Sequence, residues 1–233
     1  MPRTKQSVLT LIVVAAVLIV AALVVISQVG SSSGGGASEV NGVTQTQALF
    51  RGIPQQGIAL GDPRAPVTLT EFADLQCPFC RQYSEAVLPT LVKRYVRTGR
   101  VRMVFRNLAF IGADSVRAAR LAAAAGLEDR LWQFTDLVYR NQGTENSGYV
   151  TDTYLRNIAR GAGLHVGQAF GDATTAAVSG QLDAALRQAR QFQIDSTPSF
   201  VLSPAGGRPQ RLSPSALTVD QFARQIEAAL GTG

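Results

Sequence analysis

The strongest hydrophobic signal in this 233-residue chain is a single apolar run near its beginning. Residues 8–26 contain no charged side chain, and Thr10 is the one polar residue among them. A helix of this length, rising about 1.5 Å per residue, would span about 28 Å, close to the hydrocarbon core of a bilayer. A cleaved secretory signal is the alternative, although its apolar region is usually only about 7–15 residues long. The run therefore predicts that residues 1–27 form a short cytoplasmic end and an uncleaved transmembrane anchor.

Residues on either side of the apolar run predict its orientation and the segment that follows it. Arg3 and Lys5 precede the run, and no acidic residue occurs before Glu39. Under the positive-inside rule, the N-terminus stays in the cytoplasm and the rest of the chain lies outside the membrane. Residues 28–47 are rich in Ser, Gly, Asn and Thr without apolar periodicity, which predicts a flexible linker. The folded domain is expected to occupy residues 48–233.

The periodicity of the predicted domain alternates between strands and helices. Three short runs of β-branched and aromatic residues are predicted as strands at residues 67–72, 101–105 and 200–202. Apolar residues at helical spacing follow the first strand over residues 81–97, where Pro89 is expected to kink the helix. Residues 112–192 are alanine-rich and helical in period, and a last helix begins at Thr218 or Asp220. This order predicts an α/β fold with an inserted helical domain.

Composition and charge exclude several classes of function. Hydrophobic residues make up 46% and charged residues 16% of the chain, which is typical of a globular protein with an apolar bias. The net charge of +6 is scattered, with no basic block interleaved with aromatics, so nucleic acid is not an expected partner. The chain has two cysteines and one histidine, His165, too few for the four ligands of a structural zinc site. No metal is therefore expected.

The two cysteines, Cys77 and Cys80, form a C-x-x-C motif between the first predicted strand and the helix after it. A disulfide across two residues closes almost no loop, so it would add little stability. At a helix N-terminus, free backbone N–H groups and the helix dipole would stabilise the Cys77 thiolate. Pro78 suits the first helical turn, and Cys80, one turn further, could attack a mixed disulfide formed at Cys77. The motif predicts thiol–disulfide exchange, and an inert disulfide in a binding module is the alternative.

The sequence around these cysteines resembles the DsbA-like branch of the thioredoxin superfamily. The resemblance rests on EFADLQCPFC at residues 71–80, preceded by GDPRAPV at residues 61–67, and it extends from about Gly57 to Leu230. It implies a thioredoxin-like α/β fold whose helical insertion covers about residues 112–192. The complete expected architecture is this domain preceded by one N-terminal transmembrane helix.

The resemblance also implies roles for residues outside the cysteine pair. Thr197 and Pro198, in the segment IDSTPSF, match the cis-proline loop of the family, which packs beside the disulfide and binds the extended backbone of a substrate. Glu71 matches a buried acid that accepts the proton of Cys80, with its pKa raised by burial. From strand alternation alone, Glu71 could instead be an exposed residue facing water.

The two residues between the cysteines, Pro78 and Phe79, border the attacking sulfur and are expected to contact the substrate. The best-studied oxidant of this group has histidine where this chain has Phe79, so a strongly oxidising potential is not expected. Among other conspicuous residues, Asp74 is interpreted as turn chemistry and His165 as a surface or capping residue. Trp132 and Phe134 are expected to pack the insertion against the thioredoxin core.

The resemblance implies thiol–disulfide exchange on exported proteins, with net oxidation of their cysteines as the first hypothesis. A quinone-linked membrane reoxidase of the DsbB or VKOR type would restore the disulfide. No cofactor is implied, and a monomer is expected, held in the cell membrane by a single span. The alternatives are a reductase or isomerase kept reduced by a membrane electron donor, and a chaperone-like binding module with an idle disulfide.

Overall fold

The computed structural model describes residues 40–212, 214 and 216–231. The predicted anchor over residues 1–27 lies outside this part of the chain, as does the predicted linker up to residue 39. No helix in the described part is long and apolar enough to cross a membrane.

Folded structure begins earlier in the chain than the sequence predicts. Helix α1 covers Val43–Phe50, so the predicted linker boundary at residue 47 is wrong. Thr46 is fully buried and its hydroxyl donates a hydrogen bond to the carboxylate of Asp136. The helix also buries Phe50, whose ring lies 6.3 Å from that of Trp132. The apolar periodicity that predicts a helix is absent here, because the buried Thr46 is polar and is held by a hydrogen bond.

A six-stranded mixed sheet forms the centre of the domain. Its strands are β1 (Gln55–Gln56), β2 (Ala59–Leu60), β3 (Val67–Ala73), β4 (Val101–Asn107), β5 (Ser199–Pro204) and β6 (Gln210–Leu212). Their order across the sheet is β1-β2-β4-β3-β5-β6. Strand β3 pairs in parallel with β4 and antiparallel with β5. The three predicted strands are confirmed as β3, β4 and β5, while β1, β2 and β6, with two or three residues each, are too short to leave a periodic signal.

The helix after β3 is interrupted near Pro89, where the sequence predicts a kink. Helix α2 covers Pro78–Ala86, α3 covers Leu88–Leu91, and a π-helical turn covers Val92–Val96. Pro89 lies in the first turn of α3, directly after the break at Val87. The predicted kink is confirmed, because proline lacks the N–H that would continue the hydrogen bonds of α2.

Five helices form the insertion between β4 and β5. They are α4 (Ala113–Leu127), α5 (Leu131–Arg140), α6 (Asp152–Ala162), α7 (Val166–Asp172) and α8 (Ala176–Gln191). Trp132 of α5 is buried, and its ring lies 6.0 Å from that of Phe105 on β4. Phe134 of the same helix is also fully buried. The expected packing of Trp132 against the sheet is therefore confirmed.

The last helix, α9 (Val219–Gly231), packs on the face of the sheet that α2 also covers. There the ring of Phe222 on α9 meets that of Phe200 on β5 edge to face, with 4.7 Å between ring centroids, and the ring of Tyr83 on α2 lies 4.6 Å from that of Phe200. Helix α2 is thus fixed by aromatic packing, with its N-terminus at the carboxyl end of β3. This arrangement positions the cysteine motif.

Candidate functional site

Cys77 is the N-cap residue of α2, four residues after the end of β3. Its Sγ accepts a hydrogen bond from the backbone N–H of Cys80 at 3.4 Å. Pro78 occupies the first helical turn, as predicted. Cys80 is completely buried and Cys77 is 4% exposed. Both cysteines are free thiols in this structure.

The environment separates the acidities of the two thiols. The pKa of Cys77 is lowered to about 6, chiefly by its hydrogen bond with the Cys80 side chain, against the opposing effect of burial. A hydrogen bond with the Thr197 side chain and hydrogen bonds with the backbone of Cys80 and Phe79 also lower the pKa. Burial raises the pKa of Cys80 well above its ordinary value, and the neighbouring Cys77 adds to this. At neutral pH the reduced pair is therefore a Cys77 thiolate beside a protonated Cys80 thiol.

Glu71 lies inside the protein on the central strand. It pairs with Phe105 of β4 and Phe200 of β5, and it is 2% exposed. Its Oε1 atom has no hydrogen-bond partner among the described residues. Burial, followed by the charge of Cys77, raises the pKa of Glu71 to about 8. The predicted burial is confirmed, the direction of the pKa shift agrees with the resemblance, and the alternative of an exposed strand residue is wrong.

The predicted cis-proline loop lies directly against the cysteine motif. The Thr197–Pro198 peptide bond is cis, as predicted, and β5 begins at the next residue. Sγ of Cys77 lies 3.3 Å from the carbonyl oxygen of Thr197, to which the thiol donates a hydrogen bond in its protonated form. Folding therefore brings together two segments that are 120 residues apart in sequence.

Asp74 is the centre of a buried hydrogen-bond network, of which the sequence predicts only the turn. The predicted turn is confirmed, because Oδ1 of Asp74 accepts the N–H of Gln76 at 2.8 Å. The same oxygen accepts the Ser115 hydroxyl at 2.6 Å. Oδ2 accepts the N–H groups of Phe110 and Ile111 at 3.0 and 3.1 Å. This carboxylate thus joins the turn before Cys77 to the loop after β4 and to α4. The sequence shows only an acidic residue in an apolar segment and does not indicate these distant partners.

Replacing Asp74 with Asn should destabilise the protein by about 2 kcal/mol, because the amide N–H₂ would face backbone donors that need an acceptor. The matched control is Asp62→Asn, since Asp62 also accepts the N–H two residues on, from Arg64 at 2.8 Å, but at the surface. This control should change stability by less than about 0.5 kcal/mol. Urea unfolding measures both effects, and equal losses would show that burial of Asp74 is not what matters.

Two exposed aromatic residues belong to segments around the motif. Phe79 is 61% exposed and Phe110, in the loop held by Asp74, is 54% exposed. The exposure of Phe79 agrees with its predicted place at the surface, whereas nothing in the sequence singled out Phe110.

His165 is also exposed, as predicted, and its Nδ1 hydrogen-bonds to Glu128 at 2.7 Å. In the described part of the chain, no group of three His, Cys, Asp or Glu residues could hold a metal ion.

Comparison with known proteins identifies the family. Residues 54–227 match the family model described as Thioredoxin, and the chain belongs to this family. The crystal structure of oxidised BdbD from Bacillus subtilis shares the fold, with a TM-score of 0.66 and 22% identity over 77% of this chain and 97% of that one. A similar likeness is found to α-DsbA1 of Wolbachia pipientis, with a TM-score of 0.63, 18% identity and coverage of 80% and 96%. The protein therefore has the thioredoxin fold that these two structures share.

Two curated relatives share part of the sequence. The probable disulfide bond formation protein D of Bacillus anthracis is 38% identical over 108 residues, covering 44% of this chain and 48% of the relative. The disulfide bond formation protein D of Bacillus subtilis is 31% identical over 126 residues, covering 52% and 53%. The chain thus spans about half the length of the curated relatives that it matches.

Proposed function

We propose that this protein is a thiol–disulfide oxidoreductase that acts through Cys77 and Cys80. The observation that carries the proposal is the opposite tuning of two adjacent thiols, with the pKa of Cys77 lowered to about 6 and that of Cys80 raised. A low pKa makes Cys77 both a good nucleophile near neutral pH and a good leaving group in a disulfide. The names of the curated relatives support the same chemistry.

In the proposed oxidation, a substrate thiolate attacks Sγ of Cys77 in the Cys77–Cys80 disulfide. The S–S bond breaks, Cys80 leaves as a thiolate, and a mixed disulfide joins the substrate to Cys77. A second substrate thiolate then attacks the substrate sulfur of this mixed disulfide, and Cys77 leaves as a thiolate. The substrate loses two electrons and gains a disulfide, while the enzyme gains the two electrons as a dithiol.

Glu71 is proposed to donate a proton to Cys80 and to accept it back. A buried thiolate at Cys80 is costly, so the group must take up a proton when it is released and lose one when the disulfide re-forms. Glu71 acts electrostatically on both cysteines, and its pKa of about 8 allows it to hold or give up a proton near neutral pH. The loop at Thr197 and Pro198, together with the exposed Phe79 and its neighbour Pro78, is proposed to hold the extended chain of the substrate.

The proposed direction is net oxidation of cysteines in exported proteins. A stabilised Cys77 thiolate favours the reduced form of the enzyme, which makes its disulfide a better oxidant. Turnover then requires a membrane reoxidase that passes the two electrons to a quinone.

A disulfide-transfer assay tests the activity itself. The oxidised full-length protein is mixed with a reduced, unfolded test protein that has two thiols, and free thiols are counted over time. The proposal predicts that each enzyme molecule forms one substrate disulfide and becomes a dithiol. Cys77→Ala should transfer none, and a wild-type protein that leaves the substrate thiols intact would contradict the proposal.

The proposed location is the outer face of the cell membrane, with residues 1–27 as the anchor. It rests on the 19 apolar residues at 8–26 and on the basic residues before them. The native protein is expected to sediment with membranes and to retain its N-terminal segment. N-terminal sequencing of the mature protein that begins between Gly30 and Glu39 would instead indicate a cleaved signal.

Phe79→His should make the protein more oxidising. Phe79 offers neither charge nor a hydrogen bond to the thiolate, whereas an imidazole at this exposed position can donate one. One such bond is worth about 1 kcal/mol, or roughly 20–30 mV for a two-electron couple. The wild-type potential is expected between about −270 mV and about −120 mV.

Equilibration with glutathione buffers measures both potentials. The control is Phe110→His, which places the same side chain on the neighbouring loop and should leave the potential nearly unchanged. A Phe79→His potential equal to or below that of the wild type would show that the residue before Cys80 does not set the redox poise.

A further inference from the structure

The turn that carries Cys77 is attached to the helical insertion through its backbone. The Tyr139 hydroxyl, on α5, donates to the carbonyl oxygen of Asp74 at 3.3 Å. The side-chain amide of Gln142 donates to the carbonyl oxygen of Leu75 at 3.0 Å and to that of Cys77 at 3.2 Å. Three of the four carbonyl groups from Asp74 to Cys77 therefore accept hydrogen bonds from side chains of the insertion.

The side chains of the same turn are held by the insertion as well. Gln76 is 1% exposed, and its Nε2 donates to the Ser115 hydroxyl at 2.9 Å. Its Oε1 accepts the backbone N–H of Asn146 at 2.7 Å. Together with the carboxylate of Asp74, these contacts fix the turn to α4 and to the loop between α5 and α6. The insertion therefore determines where the thiol-bearing turn lies.

We propose that Gln142 is a positioning residue for Cys77, holding the turn that carries the thiol against the helical insertion. The proposal rests on the proposed function and adds a residue that acts through the backbone without touching the sulfur. Gln142 follows α5 by two residues, and its one amide group bridges carbonyls on both sides of Gln76.

The physical consequence concerns the dipoles around the sulfur. A carbonyl oxygen that turns toward a thiolate repels it, while the N–H groups at a helix N-terminus attract it. Gln142 keeps the carbonyl oxygen of Leu75 directed toward its amide, and it shares the carbonyl oxygen of Cys77 with the backbone N–H of Arg81, which lies 3.1 Å from that oxygen. The N–H of Cys80 can then stay directed at Sγ of Cys77, at the observed 3.4 Å.

Other titratable groups around Cys77 are left unchanged by a substitution at Gln142. They lie on α2, on β3, in the turn and on α5, and they are Cys80, Glu71, Asp74 and Tyr139. A change in the titration of Cys77 in an uncharged Gln142 variant therefore reports on the geometry of the turn.

The test is the pH profile for alkylation of the reduced full-length protein by iodoacetamide, in which the rate of the first modification follows the Cys77 thiolate. Gln142→Ala should raise the apparent pKa of Cys77 from about 6 to about 7. Gln142→Glu should raise it further, because a carboxylate cannot donate to the two carbonyls and repels the thiolate. Gln168→Ala, on the exposed surface of α7, is the matched control and should leave the profile unchanged.

Melting temperatures separate positioning from a merely structural role. If Gln142→Ala and Gln142→Glu melt earlier but keep the wild-type profile, the proposal is overturned. If Gln142→Ala does not fold, Gln142→Met, which is similar in size and uncharged but cannot donate to the two carbonyls, decides by the same profile. Alkylation needs no oxidoreductase activity, so failure of the wild type in disulfide transfer would overturn the proposed function while this result stays readable.

Discussion

Cys80→Ala should accumulate substrates as mixed disulfides on Cys77, whereas Cys77→Ala should accumulate almost none. Cys77 is the N-cap residue of α2, with a lowered pKa and a sulfur that reaches the Thr197 loop. Cys80 is completely buried, so a substrate thiol cannot reach it first, but it is placed to resolve the mixed disulfide from inside. Without Cys80, the Cys77 thiolate can still attack a substrate disulfide, which forms the mixed disulfide and releases one substrate thiolate, but no neighbouring thiol remains to displace the bound substrate.

Non-reducing gels of acid-quenched cells that express each variant measure this asymmetry. We expect a ladder of reducible adducts for Cys80→Ala and a single band for Cys77→Ala. The double variant is the control for disulfides formed elsewhere, and it should match Cys77→Ala. Similar ladders from both single variants would mean that the roles assigned to the two cysteines are wrong.

Glu71→Gln should alter both the pH dependence of stability and the rate of exchange. In the folded protein the pKa of Glu71 is about 8, against an ordinary value of 4.5, so the native state binds an extra proton between these values. The stability that the protonated carboxyl contributes is complete below about pH 4.5 and is lost as the pH rises through about 8. At pH 7 the loss is on the order of 3 kcal/mol. Glutamine cannot ionise, so the variant should lack this loss and become more stable than the wild type as the pH rises.

Urea unfolding of the reduced proteins at several pH values measures the effect on stability. The control is Glu85→Gln on α2, which removes an exposed carboxylate and should keep the wild-type pH dependence. Because Glu71 is the proposed proton carrier for Cys80, release of a mixed disulfide by attack of Cys80, which must first lose its proton, should also slow by about 10²-fold. Parallel stability curves for Glu71→Gln and the wild type would contradict the raised pKa, and an unchanged release rate would contradict the proton transfer.

The cysteine motif and the central strands could be predicted because their signals are local. A β-branched run followed by C-x-x-C and a helical period places Cys77 at a helix N-terminus without any knowledge of the rest of the fold. Helix α1 could not be predicted in the same way, because four of its eight residues are polar and one of these, Thr46, is buried. Its burial depends on a hydrogen bond to Asp136, which is 90 residues away in sequence.

The remaining parts of the site depend on contacts between distant segments. The place of Thr197 beside Cys77 came from the resemblance to a family, since a Thr-Pro pair alone predicts only a turn. The burial of Glu71 came from the same source, because strand alternation allows either face. Gln142 carried no signal at all, since its amide finds the Leu75 carbonyl only after the insertion has packed against the turn. Such partners are decided by tertiary structure and not by spacing along the chain.

The redox state of Cys77 and Cys80 in living cells tests the central claim most directly. Acid quenching followed by alkylation of free thiols preserves the state of the pair and separates the two forms by mass. Our account predicts that most of the protein carries the Cys77–Cys80 disulfide, and that a pulse of reductant converts it to a dithiol that is then reoxidised. A pair that is mostly dithiol at steady state would indicate a reductase or isomerase, and a pair that does not respond to the pulse would indicate a binding module. Either result would contradict the account.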